Sequence, residues 1–168
     1  RYILQRINSN VFKNPEEVME NIAAVCDFLR EKIAAEGGDP DRETLSLIRT
    51  RDGKNYYKAS DEDCFRVYKF IEDAYSVDIP ETPAQFYNAA RAFGKFQRLL
   101  SDFPAETLHE TIPNFHNTPD RFRQLKGAIE EDRCGRLENA GAEVEFYLSH
   151  EQLGGKLQAM LQQGILPL

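Results

Sequence analysis

"FRVYKFIEDAYS", residues 65–76, is the stretch that decides the fold, because a long strand pattern ends there at an acidic, polar turn. Phe65 and Val67 fall on one side of an extended chain, and Tyr68 falls on the other. Apolar residues on both sides are typical of a central strand. The pattern predicts a buried strand followed by a different kind of structure. Such junctions often bind small ligands, although an ordinary strand end explains the same pattern.

Two elements precede this strand. "RYILQRIN", residues 1–8, has the β-branched and aromatic residues of a strand, and we expect a distant strand to pair with it. Asn14 and Pro15 suit the cap and first position of a helix, and Glu17 stands where a capping-box carboxylate reaches back. One apolar stripe follows at three- and four-residue spacing: Val18, Ile22, Val25, Leu29 and Ile33. Gly37 and the next glycine end the predicted helix.

The segment between this helix and the central strand predicts a hairpin. Asp52 and Gly53 form a strong two-residue turn signal between two strand-like runs, and a polar turn follows at residues 60–63. Counting the opening strand, we predict four strands and one helix by residue 72.

Helix signals replace strand signals from residue 80 onward. Thr82 and Pro83 open a helix whose predicted inward face contains Phe86, Ala90, Phe93, Phe96 or Gln97, and Leu100. Thr118 opens another helix, with Phe122, Leu125 and Ile129 inward, and two shorter helices are expected around residues 142–151 and 156–163. The fold class is therefore α+β, a sheet with one helix followed by an all-helical part.

Composition excludes several function classes. A net charge of -7 and the lack of a clustered basic face argue against nucleic acid as a partner. No apolar run approaches the roughly 18 residues of a membrane span. The three cysteines are far apart, which fits neither a disulfide framework nor a zinc site and indicates reduced thiols in a cytoplasmic protein.

The usual catalytic signatures are also missing from the sequence. His109, His116 and His150 are scattered, and a structural role is expected for each, although His116 stands in a polar loop just before a helix cap. No nucleophile motif or phosphate-binding glycine loop is present. We therefore assign no catalytic residue and no metal ligand within this chain.

Seven segments in order carry a resemblance to a known family. The chain resembles the aminoglycoside phosphotransferase-like, kinase-like family and is most similar to the N-acetylhexosamine 1-kinases, whose relatives have also been labelled choline kinase-like proteins or mucin desulfatases. The segments are "RYILQRIN", "VFKNPEEVMENI", "FRVYKFIEDAYS", "AFGKFQRLL", "FHNTPDRF", "EFYLSH" and "GILPL".

The resemblance implies a two-part organisation and a nucleotide site. Residues 1–73 would form a partial kinase N-lobe, an antiparallel sheet with one helix, and residues 74–168 the helical start of a C-lobe. In this family, the linker after the central strand holds the adenine of ATP through its backbone groups. The matching linker residues here are Lys69, Phe70, Ile71, Glu72 and Asp73.

The resemblance also implies a phosphate-contacting residue on the opening strand. The matching position is Gln5, which departs from the lysine or arginine often found in the family. A neutral amide adds no positive charge, so neutralisation would depend more on magnesium. A glutamate partner would come from the long helix, and both Glu17 and Glu20 are plausible.

The implied parent protein is a cytoplasmic, ATP- and Mg²⁺-dependent transferase of carbohydrate metabolism that phosphorylates the anomeric hydroxyl of an N-acetylhexosamine. The family's glycine-rich hairpin and catalytic loop have no match in this chain, so we expect a truncated fragment that is inactive, binds ATP weakly or not at all, and self-associates through exposed apolar surface. The alternatives are another small-molecule kinase of this fold, acting on choline, ethanolamine, homoserine or an aminoglycoside, and a non-catalytic binding module.

Overall fold

The structure, a computed structural model, describes residues 1–166 and shows an α+β protein. The end of the "GILPL" segment, residues 167–168, lies outside the described part. The strands are β1 (Tyr2–Arg6), β2 (Tyr57–Lys58) and β3 (Cys64–Lys69). The helices are α1 (Pro15–Ala35), α2 (Pro40–Glu43), α3 (Pro83–Leu99), α4 (Thr118–Glu131), α5 (Gly141–Ser149), α6 (Glu151–Gly154) and α7 (Lys156–Gln162), with short 3-10 turns at Ala105–Thr107 and Leu137–Asn139.

The described chain forms two compact units, Arg1–Thr111 and the residues from Ile112 onward. The first contains the sheet and α1 to α3, and the second contains α4 to α7. The division into a partial N-lobe, residues 1–73, and the start of a C-lobe, residues 74–168, stays a prediction. Among residues 1–166, no helix is both long enough and apolar enough to cross a membrane.

Strand β3 is the central strand, as predicted. The sheet order is β1-β3-β2 and both pairings are antiparallel. The β1–β3 register runs from Tyr2 opposite Lys69 to Arg6 opposite Phe65. The expected burial on both faces is wrong, because only Cys64 of this strand is buried and Phe65 to Tyr68 are half-buried. One face packs on α1, and the other carries the exposed Leu4 of β1.

The predicted hairpin is only partly present. The turn forms, since Thr50 N–H donates to the Lys54 carbonyl (2.8 Å) and Gly53 adopts a positive φ of 83°, which favours glycine. The arms do not pair with each other, because both pair with β3 instead. Leu47 makes an isolated bridge to Tyr68, and β2 pairs further along the same strand. The described chain therefore has three strands and one bridge rather than four strands.

Helix α1 packs against the sheet through a small core. Met19 is 0% exposed and forms a buried cluster with Ile7 and Cys64. Asn14 occupies the capping position as predicted, but its side chain makes no capping hydrogen bond. Towards its C-terminal end, α1 contributes to a second cluster formed by the buried residues Leu29, Ile33 and Leu99.

Helix α3 begins as predicted, but its apolar face is not buried. Thr82 and Gln85 form a complete capping box at its N-terminus. Phe86 is 62% exposed and Phe93 is 72% exposed, which makes the predicted inward face wrong. The cause is that α3 meets α1 only near its C-terminal end, where Leu99 is the buried residue. The aromatic side chains of the preceding turns are left in solvent.

The second unit is a set of short helices. Helix α4 begins at Thr118 as predicted. Asn117 caps it, and the Asn117 side chain accepts a hydrogen bond from Asp120 N–H at 3.0 Å. Helix α6 comes close to α4 at Gly154, where a Cβ atom would lie 2.9 Å from Phe122. The predicted inward residues of α4 are half-buried.

Candidate functional site

The predicted site residue Gln5 lies on β1 directly opposite Arg66 of β3. Its Oε1 atom accepts hydrogen bonds from both Arg66 Nε (2.9 Å) and Arg66 Nη2 (2.6 Å). A single amide oxygen therefore binds one edge of the guanidinium group. The position that resembles a phosphate-contacting residue thus has a cation beside it, supplied by the neighbouring strand.

Strand alternation shows which side of the sheet this pair faces. Ile7 N–H continues the ladder by donating to the Cys64 carbonyl at 2.8 Å, and both side chains pack on Met19 of α1. Gln5 and Arg66 are each two residues away along their strands, and successive side chains of a strand point to opposite faces. The pair therefore lies on the side of the sheet that faces α1.

Arg66 has no acidic partner in the part of the chain that the structure describes. The Arg66 guanidinium carbon lies 5.9 Å from the centre of the Tyr68 ring, and its hydrogen-bond acceptor is the neutral Gln5. By contrast, Arg6 contacts Asp63 at 2.8 Å. The charge of Arg66 is thus oriented by neutral groups but not compensated by them.

Neither predicted glutamate partner contacts Gln5 among the described residues. Glu20 contacts His109 instead, with 2.8 Å between the carboxylate and Nε2. Asn21, the next residue of α1, exchanges two hydrogen bonds with the His109 backbone. Glu17 lines a polar cavity of about 580 Å³ at the start of α1. Glu20 and His109 thus join α1 to the segment after α3.

The predicted linker Lys69–Asp73 begins as the end of β3. Lys69 N–H donates to the Ser46 carbonyl at 2.9 Å, and Phe70 N–H donates to the Arg1 carbonyl at 3.2 Å. The Lys69 ammonium contacts Asp41 at 2.6 Å. These contacts bind Lys69 and Phe70 into the protein, so their backbone N–H groups are not available to a ligand.

The second half of the linker lies beside an apolar cavity. Both the side chain and the backbone of Glu72 have partners. Its carboxylate contacts Arg1 at 3.3 Å, and its backbone carbonyl accepts a hydrogen bond from the Arg42 side chain. Asp73 adopts a positive φ of 54°, which ends the extended chain. Ile71 lines a cavity of about 510 Å³. The other apolar residues around this cavity include Ile22, Val25, Leu29, Leu45, Phe96 and Leu108.

Asp41 is the most electrostatically perturbed group near the linker. The hydrogen bond from Lys69 is the largest cause that lowers the pKa of Asp41 to about 2, and hydrogen bonds from Arg30 and Ser46 add to it. Asp41 thereby connects α2 to α1 and to the end of β3. Its charge stabilises the structure around the linker.

The other candidate groups do not assemble a reactive centre. Burial raises the pKa of the Cys26 and Cys64 thiols, which disfavours the nucleophilic thiolate. His116 is exposed and packs edge-on against Phe115, with 4.7 Å between ring centres. Within residues 1–166, no group of three His, Cys, Asp or Glu side chains is placed to hold a metal ion.

The chain matches no known protein-family model. The fold brings Gln5 to Arg66, and it places Ile71 beside the apolar cavity at the end of the same central strand. The sequence reasoning overlooked Arg66, although this residue stands in the stretch that decides the fold. Its signal was available only through the β1–β3 register, which sequence does not specify.

Proposed function

We propose that this chain is the nucleotide-binding part of an ATP- and Mg²⁺-dependent small-molecule kinase of the aminoglycoside phosphotransferase-like family, and that the acceptor is the anomeric hydroxyl of an N-acetylhexosamine. One observation supports this proposal above the others. The central strand β3 runs directly into the linker Lys69–Asp73, and the same strand carries a cation with only neutral partners. A nucleotide needs both features, one for its base and one for its phosphates.

The base would be held by backbone groups of the second half of the linker. Adenine offers one donor and one acceptor on its edge, and free backbone N–H and C=O groups offer the complementary pair. Phe70 N–H and the Glu72 carbonyl already have protein partners. The proposal therefore assigns adenine to other backbone groups of residues 71–73, with the apolar cavity lined by Ile71 next to them.

The phosphates would lie along β3 towards Arg66. Phe70 lies four positions after Arg66, and four residue steps along an extended strand span about 13 Å. This spacing suits an extended nucleotide whose base is at the linker. The residues of this chain would thus bind and orient ATP, which is a large part of catalysis in phosphoryl transfer.

Magnesium, when bound, neutralises charge on the transferring phosphoryl group. The described residues include no cluster of side chains that fits a metal ion. We therefore assign no magnesium ligand in this part of the chain.

The proposal is tested by a transfer assay on the purified product of the complete reading frame that contains residues 1–168. We expect phosphate to move from ATP to N-acetylglucosamine or N-acetylgalactosamine and to appear as an anomeric phosphate by ³¹P NMR. We expect no transfer by the 168-residue chain, which serves as the matched control. Transfer to choline, ethanolamine, homoserine or an aminoglycoside instead would contradict the acceptor assignment. Nucleotide binding without any transfer would favour a binding module and overturn the kinase assignment.

A further inference from the structure

We infer that Arg66 is the residue of this chain that binds the nucleotide phosphates and that Gln5 is a positioning residue that orients the Arg66 guanidinium. The inference rests on the proposed function, which supplies the nucleotide. It moves the phosphate contact from β1, where the family resemblance places it, to the neighbouring strand β3.

The guanidinium is oriented before any ligand arrives. Gln5 Oε1 binds its Nε and Nη2 atoms at 2.9 and 2.6 Å, and the Tyr68 ring lies 5.9 Å from its central carbon. A guanidinium has five N–H donors in a planar fork, so the edge that includes Nη1 stays open. Fixing one edge reduces the conformational entropy that binding a phosphate would otherwise cost.

Of the basic side chains on β1 and β3, Arg66 is the one whose positive charge is not neutralised by a nearby carboxylate. Among the three basic side chains of these strands, Arg6 contacts Asp63 at 2.8 Å and Lys69 contacts Asp41 at 2.6 Å. Within the described residues, Arg66 alone of the three has no carboxylate partner. An oriented arginine that no carboxylate neutralises can bind an anion through its open edge, although the net charge of -7 by itself disfavours anions.

Phosphate is the anion that best fits this arginine. The guanidinium fork matches two phosphate oxygens, and hydrogen bonds between ionised groups are about twice as strong as neutral ones. This role for Arg66 explains why the residue at position 5 is neutral. A glutamate there would bind the same guanidinium edge and cancel its charge, whereas glutamine orients the group and leaves the charge intact.

The test compares three variants in the product of the complete reading frame. They are Arg66→Gln, Gln5→Glu and the control Arg49→Gln, which alters an exposed arginine that lies 3.9 Å from Asp27. Dissociation constants for Mg·ATP, Mg·ADP and adenosine are measured by isothermal titration calorimetry at two salt concentrations. Circular dichroism confirms that each variant is folded.

We expect Arg66→Gln to weaken Mg·ATP and Mg·ADP binding by about tenfold or more and to leave adenosine binding unchanged. Gln5→Glu should weaken the same two ligands while preserving thermal stability, and the salt dependence of binding should fall in both variants. Arg49→Gln should behave like wild type.

Two results would overturn the inference, and they differ from each other. If wild type binds nucleotides and Arg66→Gln binds them equally well, or loses adenosine to the same extent, Arg66 does not bind phosphate but the proposed function stands. If wild type binds neither adenosine nor nucleotides at millimolar concentration, the proposed function fails and the role of Arg66 fails with it.

Discussion

Replacing Met19 with alanine tests the packing on which the site depends. Met19 is 0% exposed and joins α1 to the sheet by contacting Ile7 and Cys64. If α1 separates from the sheet, Gln5 and Arg66 no longer face a defined surface. The substitution removes only apolar atoms, so any loss of stability reports on this contact.

The expected cost follows from the burial of Met19. Truncating a fully buried methionine to alanine costs about 2–5 kcal/mol, and the value depends on how well the surroundings close the cavity. The core is small and its rim is only half-buried, so the neighbours can relax. The rim residues are Phe12, Ile22, Leu47 and Tyr56. We therefore expect a loss of about 2–3 kcal/mol, which lowers Tm by roughly 10–20 °C for a unit of this size.

Urea denaturation followed by circular dichroism measures this free energy, and Phe93→Ala is the matched control. Phe93 is also a large apolar residue on a helix of the same unit, but it is 72% exposed. Its truncation should change the free energy of unfolding by no more than about 0.5 kcal/mol. Equal effects of the two substitutions, or a cost below about 1 kcal/mol for Met19→Ala, would refute the packing of α1 on the sheet.

Three further predictions concern charge, thiols and close contacts. The lowered pKa of Asp41, about 2, means that its charge stabilises the fold at pH above its ordinary pKa. The stability difference between wild type and Asp41→Asn should shrink as pH falls below about 4, and a pH-independent difference in urea titrations would contradict this. Exposed Cys134 should react with a thiol reagent much faster than buried Cys26, and equal rates would be inconsistent with the fold. Gly154→Ala should destabilise the second unit by about 1–3 kcal/mol in thermal melts, whereas Gly155→Ala, with only an ordinary 3.8 Å contact, should not.

Local signals in the sequence predicted the starts of elements well. Thr82 and Gln85 form the capping box that their spacing indicates, and α1 begins at Pro15. These features depend on neighbouring residues alone, so the sequence contains the information. Helix α4 begins at Thr118 as predicted, and the preceding residue, Asn117, supplies the cap.

Tertiary features were harder to predict from the sequence. The apolar stripe of α3 predicts burial, but a stripe does not specify a partner, and Phe86 and Phe93 stay mostly exposed. The register between β1 and β3 joins residues 61 positions apart, so the Gln5–Arg66 pair could not be found from local patterns. Strand length was also unpredictable, because both arms around Gly53 have strand-like composition and only pairing with β3 decides which residues form the ladder.

The most direct test of the nucleotide site is a ¹⁵N NMR titration, with Mg·ATP into the millimolar range, of the product of the complete reading frame that contains residues 1–168. We expect binding that shifts the backbone amides of Ile71, Glu72 and Asp73 together with the Nε–H signal of Arg66. Resonances of Phe93, on the exposed face of α3, serve as an internal control and should stay in place. Shifts confined to other residues, or an unchanged spectrum at the highest ATP concentration, would contradict the account.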